Sequence, residues 1–321
     1  MKRVTRTFED TPAVRGSVPM LVGLVGPSGS GKTYSALRLA TGMQRVTGGE
    51  IFVIDTESRR ALHYADDFNF RHLEMLAPFS PLDYLDAIQH CVGKKSGVLV
   101  VDTMSAEHEG PGGVLEQHDA ELDRLAGDDQ GKRQRMTFSA WAKPKAERRK
   151  LIGEILRLGI SAVFCFRAKE KLKIVPGRNP LHLGWQPIAG DEFIYEMTIN
   201  CLLYPGSKGV PNWAPDESAE KVMLKLPEHL RGVFKPGEAL SEDTGEALAK
   251  WAAGDVDPQA PVEPNPELDE AICELQRSVT MGELDAAGKK WSERTWSDVE
   301  KGRLREVMVT ARELLAEEAQ P

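Results

Sequence analysis

The chain has no apolar run approaching the ~20 residues that a membrane-spanning helix needs. Its start, Met1-Lys2-Arg3-Val4-Thr5-Arg6, is basic, but the apolar core of a secretory leader does not come after it. The expectation is a cytoplasmic protein with no membrane partner. Cysteine is also scarce. Cys91, Cys165, Cys201 and Cys273 are the only four, and none lies in a C-x-x-C pair. That argues against both a zinc site and a disulfide framework and predicts buried free thiols. Positive charge is outnumbered, with 41 Lys and Arg against 49 Asp and Glu, a net charge of −8. Such a balance excludes a protein that coats nucleic acid with its whole surface, though not one with a local basic site.

What is present is a stretch that fits G-x-x-x-x-G-K-[ST]: Gly26-Pro27-Ser28-Gly29-Ser30-Gly31-Lys32-Thr33. The apolar run Met20-Leu21-Val22-Gly23-Leu24-Val25 precedes it, and the helix-compatible run Tyr34-Ser35-Ala36-Leu37-Arg38-Leu39-Ala40 comes directly after. Glycines let successive backbone N–H groups converge on phosphate oxygens at a helix N-terminus. Gly26 to Thr33, with Tyr34 beside them, are the candidate nucleotide-binding residues. Lys32 is placed to reach the β- and γ-phosphates and the Thr33 hydroxyl to bind Mg²⁺.

Two further apolar runs end in acids. Ile51-Phe52-Val53-Ile54 leads to Asp55-Thr56-Glu57, and Val98-Leu99-Val100-Val101 leads to Asp102. Runs of this kind suit strands buried on both faces of a parallel sheet, whose carboxyl ends carry the ligand. Asp102 is the expected Mg²⁺-supporting acid. Asp55 and Glu57 either polarise an attacking water, or cap the next helix and face solvent. A third strand is expected at Ser161-Ala162-Val163-Phe164-Cys165-Phe166, placing Arg167 near the γ-phosphate. Between the last two strands, residues 106–131 read as loops around a short helix. His108 and His118 lie near carboxylates there but read as surface histidines.

The charge of the chain is concentrated. Residues 132–173 hold thirteen Lys and Arg against three acids, a net +10, so the remainder sums to −18. This is the footprint of a phosphate backbone, and Phe138 and Trp141 are placed to stack on bases. A solvated helix face over residues 143–157 with buried aromatics is the competing reading. Residues 168–190 read as a long irregular loop, with Lys169, Lys171, Lys173, Arg178 and Trp185 suited to single-stranded nucleic acid. Residues 193–204 then read as a strand, 220–226 as its partner carrying Lys225, and 237–253 as a short helix. Four prolines within 255–266 mark a linker. Residues 267–321 form a small helical module with Trp291 and Trp296 in its packing. The organisation is thus an arm at 1–18, an ATPase domain at 19–254, the linker, and the module.

These segments together resemble the RecA ATPase core over about residues 18–235, and Asp55-Thr56-Glu57, twenty-five residues past Lys32, carries most of that likeness. The lack of accessory domains and the Phe-Arg-Ala-Lys-Glu-Lys stretch are similar to the phage RecA-like single-strand annealing ATPases, the Sak group. The resemblance implies an α/β P-loop NTPase core with a mostly parallel sheet flanked by helices. It implies ATP and Mg²⁺, with Glu57 activating the water. It makes Arg167 the counterpart of a sensor that is usually Gln. It also implies single-stranded DNA held by loops at 108–135 and 168–190, and a homo-oligomer, ring or filament, with ATP between subunits. Lys225 is then the candidate basic residue supplied in trans. The function implied is ATP-dependent annealing or homologous recombination, in a host cytoplasm if phage-encoded. The alternative is a nucleotide-gated helicase loader or adaptor whose C-terminal helices recruit partners, a single-strand-binding protein among them. A small-molecule kinase is disfavoured by the basic stretch.

Overall fold

The computed structural model describes residues 18–173, 181–213, 224–254, 266–278, 280–292, 294–296 and scattered positions between 301 and 315. The expected arm, apart from Val18, and most of the expected linker lie outside these residues, as do Arg178 and residues 220–223 of the expected partner strand.

The first strand, β1 (Leu21–Gly26), feeds α1 (Lys32–Thr47), then β2 (Glu50–Asp55), β3 (Arg71–Glu74), α2 (Pro81–Gly93) and β4 (Ser96–Asp102). Four helices come after it: α3 (Ser105–Glu109), α4 (Val114–Ala126), α5 (Gln130–Ala140) and α6 (Ala142–Ile155). Next are β5 (Ser161–Lys173), β6 (Leu181–Pro187), α7 (Asp191–Tyr195), β7 (Ile199–Leu202) and α8 (Glu242–Ala253). The strands lie in the order β3-β2-β4-β5-β1-β7, all parallel, and β6 pairs antiparallel with β5. This is the expected α/β architecture.

The apolar runs are buried on both faces because side chains alternate along a strand. Val22, Leu24, Val53, Val100 and Val163 pack on one side with α1 and α8 residues such as Leu37, Leu39 and Leu248. Phe52, Ile54, Leu99, Val101 and Phe164 pack on the other with Tyr84, Ile88, Leu151 and Phe193. Helix α1, which carries the phosphate-binding loop, is fixed against α8 at close range. A β-carbon on Gly42 would overlap the Glu242 carbonyl. Arg38 grips the Glu242 carboxylate at 2.7 to 3.0 Å.

Four sequence expectations are corrected. Residues 106–131 are helical for most of their length. Val114, His118, Leu122 and Ala126 recur at helical spacing and are buried, while charged residues between them hide the period. Residues 174–180 of the expected loop at 168–190 lie outside the described residues, and the residues on either side are strand: β5 runs on past Arg167 to Lys173, and Ala168 and Lys169 pair with Pro187 and Gln186 of β6. Arg167, Lys169 and Lys171 are exposed along this strand, with Ala168 buried between the first two. Residues 193–204 do not form one strand, because Phe193, Ile194 and Met197 are buried at helical spacing in and after α7. Lys225 meets Asn200 of β7 only through an isolated bridge. Of the thiols, Cys91, Cys165 and Cys201 are buried but Cys273 is exposed.

The chain divides into two compact units, Met1–Pro258 and Gln259–Pro321. In the second, α9 (Pro266–Arg277) and α10 (Met281–Ser292) enclose Leu275, Leu284, Trp291 and Trp296. Both indole N–H groups are satisfied, Trp291 on Glu274 Oε2 at 2.9 Å and Trp296 on the Trp291 carbonyl at 2.6 Å. No helix among the described residues is long and apolar enough to cross a membrane.

Candidate active site

Strand register assembles the site. Gly26 lies beside Arg167 and Asp55 beside Asp102, so the loop, both strand-end acids and the arginine share the carboxyl edge of the sheet. Ligands of open α/β sheets bind at that edge.

Gly29 and Gly31 take φ of 77° and 91°, the left-handed region that a β-carbon disfavours. Helix α1 starts at Lys32, so its unpaired first-turn N–H groups face the loop. Ser30 is 1% exposed and its hydroxyl oxygen has no hydrogen-bond partner. An orphaned buried hydroxyl inside a cradle of N–H groups fits a phosphate oxygen, which would satisfy it. Lys32 Nζ donates to the Pro27 carbonyl at 2.7 Å across the loop. Burial pulls its ammonium below the usual lysine value, with the Asp102 and Glu57 carboxylates acting against that.

Thr33 Oγ1 donates to Asp102 Oδ2 at 2.6 Å. Burial pushes the Asp102 carboxyl up to about 6, against the Thr33 hydrogen bond that favours its charge. This pair of hard oxygen ligands at the mouth of a phosphate cradle fits Mg²⁺. The two acid-bearing strands are clasped just beyond it. Thr56 N–H donates to the Asp102 carbonyl, and Thr103 N–H donates to Thr56 Oγ1, each at 2.9 Å.

The two acids after β2 have different jobs. Asp55 is buried, and it accepts from the N–H of Glu57 at 2.7 Å and of Ala61 at 2.9 Å, with His72 Nε2 at 3.1 Å. Its oxygens organise the loop. Glu57 instead faces a cleft of about 590 Å³ shared with Lys32, Thr33, Asp102 and Arg167. Arg60, His63 and Tyr64 also line that cleft, and the sequence did not single them out. They come from a 3-10 turn, Arg60–Tyr64, which Asp55 folds back over the site. The sequence signal for them is two arginines, Arg59 and Arg60, separated from Glu57 by one residue.

Tyr34 is not part of the cleft lining. Its ring packs on Tyr64 and Phe68, with centroids 5.7 and 5.3 Å away, and so supports Tyr64. Lys225 lies apart from the cleft lining, its ammonium 3.3 Å from the Tyr195 carbonyl.

Eleven of the thirteen basic residues, all but Lys171 and Lys173, fall into two sets. Arg133, Arg148, Arg157, Arg167 and Lys169 pair with Asp123, Glu107, Glu154, Glu57 and Glu109. Lys132, Arg135, Lys143, Lys145, Arg149 and Lys150 on α5 and α6 are exposed and make no ion pair with a described residue. Phe138 stands among them at 89% exposure. Trp141 does not: it is half-buried, stacked on His118 with centroids 4.1 Å apart. His118 is therefore a buried histidine rather than a surface one, its Nε2 3.1 Å from the Thr137 carbonyl. His108 is half-buried, its Nδ1 2.9 Å from Arg148 Nη2.

Among known protein families, residues 19–200 match one described as an AAA domain, more than half of the chain. No curated protein matches. The matched span runs from just before β1 into β7 and contains the phosphate-binding loop, both strand-end acids and Arg167, and on that ground the chain belongs to the AAA-domain family of P-loop ATPases.

Proposed function

We propose that this ATPase is RecA-like, binds single-stranded DNA as an oligomer, and promotes strand annealing or homologous recombination, as the phage annealing ATPases it resembles do. In this reading Lys32 and the loop N–H groups hold the β- and γ-phosphates. Thr33 and Asp102 hold Mg²⁺, which neutralises phosphate charge. Glu57 orients the attacking water in line with the γ-phosphate, where positioning and charge do most of the catalytic work.

The DNA part is carried by one observation, the α5–α6 face. Ala140, Pro144, Leu151 and Ile155 supply the packing of these helices. Lys145 lies over the Trp141 ring, 5.9 Å from its centroid, while Lys132, Arg135, Lys143, Arg149, Lys150 and Phe138 are exposed and outside this packing. An exposed phenyl ring among cations offers a base-stacking platform inside a phosphate-attracting field.

The test is anisotropy of a labelled single-stranded oligonucleotide across a salt series. Affinity should fall steeply with salt, and Phe138→Ala should weaken it about 10-fold or more, from a stacking term of ~1–3 kcal/mol. Arg135→Glu with Arg149→Glu should flatten the salt slope. Binding that ignores both salt and these substitutions rejects the DNA reading.

A further inference from the structure

Both oxygens of Glu57 are engaged by arginines. Arg167 places Nε and Nη2 on Oε1 at 2.7 and 2.6 Å, and Arg60 places Nη1 on Oε2 at 3.0 Å. Three bonds from two guanidinium groups hold this carboxylate in one orientation and offset its charge, leaving it one lone-pair site, on Oε2. The backbone around the pair is held in place. Asp55 fixes the Glu57 loop, and the Arg167 N–H donates to Ser105 Oγ at 2.8 Å. Freedom is left in the guanidinium arms, whose side chains are 47% and 61% exposed for Arg167 and Arg60. Both arginines line the same cleft as Lys32 and Thr33.

A terminal phosphate in that cleft is a stronger partner for a guanidinium than one carboxylate, having more charge and more acceptor oxygens. We infer that Arg167, with Arg60, clamps Glu57 in the nucleotide-free protein, and that the γ-phosphate opens the clamp by drawing Arg167 to itself. ADP offers no γ-phosphate and leaves the clamp closed. The water-orienting group is thus freed only when there is a γ-phosphate to attack. Arg167 acts here as a positioning residue that works through Glu57. The inference rests on the ATPase reading of the cleft and adds its regulation.

The test is calorimetric binding of ADP and of a non-hydrolysable ATP analogue, both with Mg²⁺, to the full chain and three variants. Glu57→Gln weakens the clamp, so it should raise the affinity for the analogue relative to ADP by about tenfold. In an Arg167→Ala background the same substitution should change that ratio little, because no clamp remains to open. No gain from Glu57→Gln, or an equal gain in both backgrounds, overturns the clamp, the second result showing plain charge removal. Binding of neither nucleotide by the wild-type chain would instead defeat the ATPase reading, and the clamp with it.

Discussion

Thr33 and Asp102, sixty-nine positions apart in sequence, are joined by a 2.6 Å hydrogen bond between a hydroxyl and a buried carboxylate. The hydroxyl opens the helix after the phosphate-binding loop, and the carboxylate ends the strand two places away in the sheet. Burial already holds Asp102 near 6, so its charge at neutral pH is maintained at a cost. Asp102→Asn should therefore have opposite effects on stability and activity. The nucleotide-free protein should gain about 1–2 kcal/mol in denaturant unfolding. Mg²⁺-dependent ATP turnover should fall by about 100-fold or more. Loss of both together would mean that Asp102 is a structural acid.

Arg148 and Glu107 form a nearly fully buried ion pair, with guanidinium-to-carboxylate hydrogen bonds of 2.9 and 2.8 Å. Removing one partner strands a charge in the interior. Arg148→Met should cost about 3–5 kcal/mol in urea unfolding, and adding Glu107→Leu should recover much of it. A double variant as unstable as the single one would contradict this account.

His108 sits against that pair. Burial, then the charges of Arg148, Lys169 and Lys171, lower it to about 4, while Glu192 acts weakly the other way. Its folded value lies below the ordinary 6.5, so folding favours the neutral ring. The stability this lends is complete above about pH 6.5 and is lost as pH falls toward 4. His108→Gln should flatten the loss of stability between pH 6.5 and 4, by about 1–2 kcal/mol once solvent screening of the half-buried ring is counted. A profile unchanged by the substitution would show that His108 does not set it.

The parallel core was legible in sequence because strands buried on both faces leave uninterrupted apolar runs, as at Ile51–Ile54 and Val98–Val101. The acids that end them could be placed at the ligand edge for the same reason. Helices α4 and α5 were not legible, since their apolar positions are diluted by charge. The antiparallel pairing of β5 with β6 beyond Arg167 was hidden because alternating Lys169 and Lys171 look the same on an exposed strand as in a basic loop. Whether Asp55 or Glu57 faced the cleft could not be read from spacing alone. It is decided by a loop that doubles back onto Asp55, bringing Arg60 round to Glu57. The pairing of Arg167 with Glu57, 110 positions away, depends on that same loop and has no local signature.

The central claim is that Glu57 orients the water for an ATPase coupled to single-stranded DNA. Its most direct test is the rate of phosphate release from ATP with and without single-stranded DNA, for the wild-type chain and Glu57→Gln. The account predicts that DNA changes the wild-type rate and that Glu57→Gln binds ATP but releases almost no phosphate under either condition. Phosphate release by Glu57→Gln at the wild-type rate, or a wild-type rate indifferent to DNA, would contradict it.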